Sequence, residues 1–359
     1  MKILELSTPK KDRIFYFDFL KTFACISVIF VHVSAILWHS IPINSLDWAC
    51  LNFYNSFSRW GVPVFLMISG ALLLGNTNNL SLDKLYKKSI LRFCIATIFW
   101  SAGYAALNFR LSRDIETSIS ILISGEYHLW FMFSIISLYI FAPILNEVLK
   151  NEKTVRYLLI VLFLFSFVFR SLDILLAFDI PHIQFFILQF KKALDQFGFL
   201  TNSEYLFYFV LGHFLHNTQL KSKTEKILLI SGALALVITF LGTEGLSLHL
   251  NKGKESFYQY NTINVLFSSI AVFIAAKKFV VQEKIPKFLR FFSIFVSKHS
   301  FGVYLSHVAV IKIFCALGLT TQITHPILSV PILSILVFLC SLTISYIISK
   351  IPLLKKWVI

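Results

Sequence analysis

Three ionisable residues interrupt the first long apolar run of the chain. The stretch "DFLKTFACISVIFVH", residues 18–32, carries Asp18, Lys21 and His32. A helix turns by about 100° per residue, so Asp18, Lys21, Cys25 and His32 share one face and form a stripe. The eleven-residue step from Lys21 to His32 is three full turns, roughly 16 Å along the axis. Ionisable groups inside a membrane are costly, face the bundle interior and mark functional sites by default. An acid, a base and an imidazole on one stripe offer a polar passage that ends at a group able to take a proton from an incoming hydroxyl. The bland alternative is that Asp18 and Lys21 neutralise each other as an i, i+3 pair while His32 hydrogen-bonds a neighbouring helix.

The elements that must hold this stripe follow from composition. The 359 residues are 57% hydrophobic and 14% charged, whereas a soluble domain is nearer half apolar and a quarter charged. Apolar runs of the roughly 20 residues needed to cross a bilayer recur to the C-terminus. The expected fold is all-α, a polytopic integral membrane bundle of about ten transmembrane helices. The spans are expected near residues 14–38, 53–75, 89–109, 127–146, 155–177, 203–217, 226–243, 260–280, 299–318 and 326–349. The sixth is short and carries Glu204, His213 and His216. No internal repeat is evident, and nothing near the N-terminus reads as a cleaved signal. Residues 1–359 read as a single transmembrane domain, with a cytoplasmic segment at 1–13 and a cytoplasmic tail at 350–359.

Charge sets the expected orientation. Of 33 Lys and Arg residues, eight fall on one set of connecting segments, Lys21 and Lys312 fall inside spans, and the remaining 23 fall on the opposite set. The positive-inside rule then places both termini in the cytoplasm. Topology and attraction to anionic lipid account for the net charge of +15, so no nucleic-acid partner is expected. The five cysteines form no CxxC and read as small packing residues. The ten histidines contain no HExxH or compact ligand set, so no metal is expected. No P-loop or GxGxxG supports ATP or NAD binding.

Other polar residues stand at expected membrane borders. Arg59 lies at the outer end of the second span, where it can position an acceptor phosphate, orient a carboxylate, or snorkel. Glu126, His128 and Trp130 open the fourth span from outside. Trp130 suits either an interface anchor or a face for stacking a sugar ring. Tyr304, His307 and Lys312 make the ninth span a second polar helix, with a packed, hydrogen-bonded His307 the competing reading. The inner loop "LSLDKLYKKSILR" holds Lys84, Lys87, Lys88 and Arg92 beside the membrane.

Four stretches, in order, resemble the membrane acyltransferase 3 family. They are Lys21-x10-His32 in the first helix, "FSRWGVPVFLMISGALLL" (57–74) with Arg59, Pro63, Phe65, Ser69 and Gly70, "YHLWFMFSIISLYIFAPIL" (127–145), and "SKHSFGVYLSHVAVI" (297–311) with Ser300, Tyr304 and His307. The pattern is most similar to the stand-alone enterobacterial common antigen-type O-acetyltransferases. The resemblance implies O-acetyl transfer in the bacterial inner membrane, from cytoplasmic acetyl-CoA to a hydroxyl of an envelope glycan or lipid-linked sugar. It implies that His32 serves as general base or first acyl acceptor, that Lys21 favours the thioester, and that Asp18 holds Lys21. Lys84, Lys87, Lys88 and Arg92 are candidates to complement the coenzyme phosphates, with the positive-inside rule as the alternative account of their charge. Some members carry Arg-x-x-Arg at the start of the third helix; here Lys88 and Arg92 keep the charge but not the spacing. The runner-up reading is a proton-coupled carrier or flippase, since intramembrane Asp, Lys and His suit it equally. Missing repeats and missing paired, broken helices count against it.

Overall fold

The computed structural model describes residues 13–75, 82–177, 181–198 and 203–359. Lys2, Lys10 and Lys11, with the first twelve residues of the expected cytoplasmic segment, lie outside the described residues. Among those described, the chain is helical and contains no strand. The order begins α1 (Phe15–Ser34), α2 (Leu46–Ser58) and α3 (Gly61–Leu73). A single turn, α4 (Leu82–Lys84), runs through a π-helical turn at Leu85–Ile90 into α5 (Leu91–Ser112), followed by α6 (Ile115–Ser124). A 3-10 turn at Tyr127–Leu129 opens α7 (Trp130–Val148), and α8 (Glu152–Phe163) leads through π-helical Leu164–Val168 to the single turn α9 (Phe169–Ser171). Then come α10 (Pro181–Asp195), α11 (Glu204–Asn217), α12 (Ser222–His249) and α13 (Ile263–Phe279). The last are α14 (Lys287–Ala316), α15 (Pro326–Lys350) and α16 (Pro352–Trp357).

Among the described residues, 9 stretches are long and apolar enough to cross a membrane. The chain is a multi-pass helical membrane protein. The expected sixth span is α11, a helix of 14 residues. At 1.5 Å per residue it is about 21 Å long, short of the roughly 30 Å hydrocarbon core.

The elements that hydropathy misses have physical reasons. α2 starts at Leu46 rather than near 53, because Ser45 caps it by accepting from Trp48 N at 3.2 Å. It buries Trp48, Asn52 and Asn55, a semi-polar face that an apolar window skips. α6 fills an expected loop, capped by Asp114, which accepts from Thr117 N at 3.1 Å. The turn before it uses Arg113 in the left-handed region (φ 59°), and Gly125 ends it with φ 83°. α10 is another unforeseen helix, whose apolar residues are interspersed with Gln and Lys.

Burial places the helices. In the apolar window of α1, 67% is buried inside the protein, against 22% for α12, so α1 is an interior helix and α12 a lipid-facing one. α1 packs against α14, α3, α2 and α15. Interior position suits a helix that carries charge, because only there can a polar face meet protein or water instead of lipid.

The short α11 is held by close packing on α3. A Cβ added at Gly70 of α3 would lie 1.8 Å from Phe209 O of α11, and one at Gly212 of α11 would lie 2.0 Å from Met67 O of α3. Each backbone fills the gap left by the other's glycine, which is how membrane helices gain contact without a hydrophobic drive. The carboxyl end of α11 is capped by the Lys277 ammonium. It donates to Leu215 O, His216 O and Thr218 O at 2.7, 2.8 and 2.8 Å. A cation there satisfies orphan carbonyls and complements the helix dipole.

Candidate active site

Three imidazoles from three elements converge. His32 stands in the last turn of α1, His128 in the 3-10 turn before α7, and His307 in α14. The ring centroid of His307 is 5.1 Å from that of His32 and 5.1 Å from that of His128. Tyr127 packs 5.4 Å from His32, and Tyr104 packs 5.0 Å from His128. His307 is 0% exposed and His128 2%, whereas His32 keeps partial exposure. His32 is therefore the imidazole a substrate can reach, and the other two stand behind it.

Tyrosines fix the cluster. The Tyr304 hydroxyl donates to the His128 carbonyl, and the Tyr304 carbonyl lies 2.6 Å from His307 Nδ1. A carbonyl only accepts, so His307 Nδ1 carries the hydrogen and Nε2 carries the lone pair. The Tyr104 hydroxyl donates to Leu305 O at 2.8 Å and accepts from Ala309 N at 3.0 Å. Those two groups are four residues apart, the pair an α-helix normally joins to each other. Tyr104 thus wedges into the ladder of α14 at the turn that bears His307. On the next turn Lys312 pairs with Glu126, which is 6% exposed, fastening the entry to α7 onto α14.

Arg59 follows α2. Its Nε donates to Asn55 Oδ1 at 2.6 Å and its guanidinium lies 4.1 Å from the Tyr258 ring centroid. No carboxylate pairs with it among the described residues, so an amide and an aromatic face hold it, not an acid. It is close enough to act on His32 electrostatically. Trp130 stacks on Tyr205 at 5.1 Å and 26°, with Tyr260 at 5.8 Å, so one indole face is already covered by protein aromatics.

Toward the start of α1 lies a cavity of about 240 Å³, lined by Lys21, Ser69, Arg92, Tyr139, Ser300 and Tyr304 among others. Lys21 makes no hydrogen bond or ion pair among the described residues. Arg92 has a buried Nε without a partner, and its guanidinium sits 5.5 Å from the Phe301 ring centroid. Two cations therefore face one cavity with no acid in direct ion-pair contact with either among the described residues. Tyr304 belongs to both places, as cavity wall and as the link between His128 and His307.

One expectation is corrected. Asp18 does not hold Lys21: its carboxylate accepts from Arg13 Nη2 at 2.8 Å and from Ser297 Oγ at 2.6 Å. Arg13 lies just before α1 and Ser297 nearly three turns into α14, so Asp18 ties the start of α1 to α14. The basic loop also divides. The π-helical turn buries Leu85 and Ile90 and leaves Lys84, Lys87 and Lys88 exposed, with Lys87 paired to Asp83 at 2.9 Å. Only Arg92 enters the cavity.

Sequence reading missed Tyr104, Tyr127 and Tyr139. The signal was available: Tyr104 and Tyr139 sit mid-span, although membrane tyrosines gather at the interfaces. Among the described residues, no group of three or more His, Cys, Asp or Glu is arranged to hold a metal ion. The arrangement offers proton transfer at His32 and, three helical turns away, electrostatic stabilisation of an anion in the Lys21–Arg92 cavity. Comparison with curated proteins and with solved structures returns no match. Residues 14–350, nearly the whole chain, match the model of the acyltransferase 3 family, described as an acyltransferase domain; the chain that builds this site belongs to that family and is a membrane acyltransferase.

Proposed function

We propose that the protein is an O-acetyltransferase of the bacterial inner membrane. It moves an acetyl group from cytoplasmic acetyl-CoA to a hydroxyl of an envelope glycan or a lipid-linked sugar. The observation that carries the reading is the placement of a reachable imidazole, His32, on the same helix as Lys21, which faces a cation-lined cavity. The cavity, about 240 Å³, is smaller than the roughly 300–1,000 Å³ that encloses a drug-sized ligand. It suits the arm that carries a donor's acyl thioester, with the nucleotide left outside at the exposed Lys84, Lys87 and Lys88. Lys21 and Arg92 hold the donor's polar groups at one end of the passage, and the acyl carbonyl meets the acceptor three helical turns along α1, at His32. His32 takes the acceptor's proton as the oxygen attacks. Arg59, Glu126, His128, Trp130 and Tyr304 shape the acceptor end.

The test is isotope transfer in isolated membranes together with mass spectrometry of surface glycans with and without the protein. Label passing from acetyl-CoA to glycan, with a gain of one acetyl mass per modified sugar, supports the reading. Label left in the donor pool, or solute counterflow without acyl transfer, sinks it and restores the carrier.

A further inference from the structure

We propose that His307 is the positioning residue for His32. Its Nε2 lone pair receives an N–H from His32, which fixes His32 in the tautomer whose other nitrogen faces the acceptor hydroxyl. This rests on the reading of His32 as general base and goes beyond it by assigning the group that orients the base.

Three observations meet at His307. Its tautomer is set from behind, because Nδ1 lies 2.6 Å from the Tyr304 carbonyl. Its Nε2 is buried and has no hydrogen-bond partner. A lone pair sealed from water without a donor is costly, so a donor that arrives during the reaction is held there. The nearest ring with solvent access is His32, 5.1 Å away between centroids. That spacing is close to two ring radii plus an N–H···N contact of about 3 Å, and catalytic hydrogen bonds often tighten only when substrate is bound. The Tyr104 wedge at Leu305 and Ala309 holds the turn that presents His307.

The proton balance closes. The acceptor O–H proton moves to the free nitrogen of His32 as the new C–O bond forms. His32, then an imidazolium, keeps its second N–H on His307 Nε2. When the C–S bond breaks, the same proton passes to the thiolate. His307 neither gains nor loses a proton. It acts as the orienting third group does in a nucleophile–base–orienter arrangement.

The test uses purified full-length protein in lipid, assayed with acetyl-CoA and the acceptor glycan. His307→Asn keeps an amide N–H near the Nδ1 position and removes the lone pair at Nε2. His307→Gln can place its amide oxygen near the Nε2 position. The expected results are a roughly 10²- to 10⁴-fold lower kcat for His307→Asn with both KM values within about twofold, and at least about tenfold recovery in His307→Gln. The His32→Ala/His307→Asn pair should be no slower than His32→Ala, because residues acting as a unit are non-additive. Nitrogen-15 NMR of histidine-labelled wild-type protein reads the tautomer without any substitution, and Nε2 of His307 should be unprotonated. Wild-type kcat in His307→Asn, no advantage of Gln over Asn, multiplying losses in the double variant, or a protonated Nε2 each overturn the proposal. Full activity of His32→Ala is a distinct result: it removes the base reading itself.

Discussion

The basic loop makes a prediction whose size the geometry sets. Arg92 faces the cavity with a buried, unpartnered Nε, whereas Lys84, Lys87 and Lys88 are exposed. A hydrogen bond from a charged donor in such a place contributes about 1.5–3 kcal/mol, which is roughly 12- to 160-fold in kcat/KM. Exposed charges contribute little each, so neutralising the three lysines together should raise the donor KM by only about fivefold. The perturbations are Arg92→Leu and a triple Lys→Gln variant at 84, 87 and 88, each assayed for initial rate against acetyl-CoA at 0.15 M and 1 M salt. Screening shortens from about 8 Å to about 3 Å over that range. The lysine effect should fade at high salt and the Arg92 effect should persist. If the triple variant loses as much as Arg92→Leu, or if the Arg92 loss vanishes at high salt, the donor does not reach the cavity as argued.

Four further outcomes follow. His32→Ala should lower acetyl transfer by roughly 10²- to 10⁴-fold at unchanged protein abundance, checked by glycan mass spectrometry against immunoblot. Asp18→Ala should lower the thermal midpoint in detergent while leaving kcat within about twofold at a permissive temperature, since Asp18 ties α1 to α14 and does not touch Lys21; a large kcat loss in stable protein would refute the reassignment. Lys277→Met should destabilise the protein by about 2 kcal/mol through three uncapped carbonyls, measured as a thermal-midpoint shift with Lys277→Arg as the partial rescue. Gly70→Ala and Gly212→Ala should each collapse folded yield, whereas Gly103→Ala and Gly245→Ala, where an added Cβ meets nothing within 4 Å, should leave it unchanged; equal yields across the four would refute the close contact of α3 with α11.

Much of this fold is written locally. Spans are legible because bilayer thickness translates into a run length, and nine of the ten expected runs are long apolar helices. The Lys21–His32 stripe is legible because helical period alone puts both on one face. Partner choice is not local. Asp18 finds Ser297, 279 residues on, in preference to Lys21 three residues on. The reason is that an interior α1 presents its acid to α14. Nor does any sequence pattern place His128 and His307 beside His32, since three separately recognised helices must first pack. α2 and α10 escape hydropathy for another reason: their buried faces are mixed or narrow, so a window average sees a loop.

The reciprocal glycine contact between α3 and α11 behaves as a keyed joint. A shift of about one turn would bring Leu66 of α3 or Leu74 at its end to the place of Gly70, where even a Cβ lies 1.8 Å from Phe209 O, so the joint favours one register. Machines that carry cargo through a membrane by rocking need at least one interface able to slip. Here α3, which supplies Ser69 and Phe65 to the cavity wall, is pinned to a helix that cannot slip past it. Such a wall serves as a stator: the cavity keeps its shape against it while other helices move.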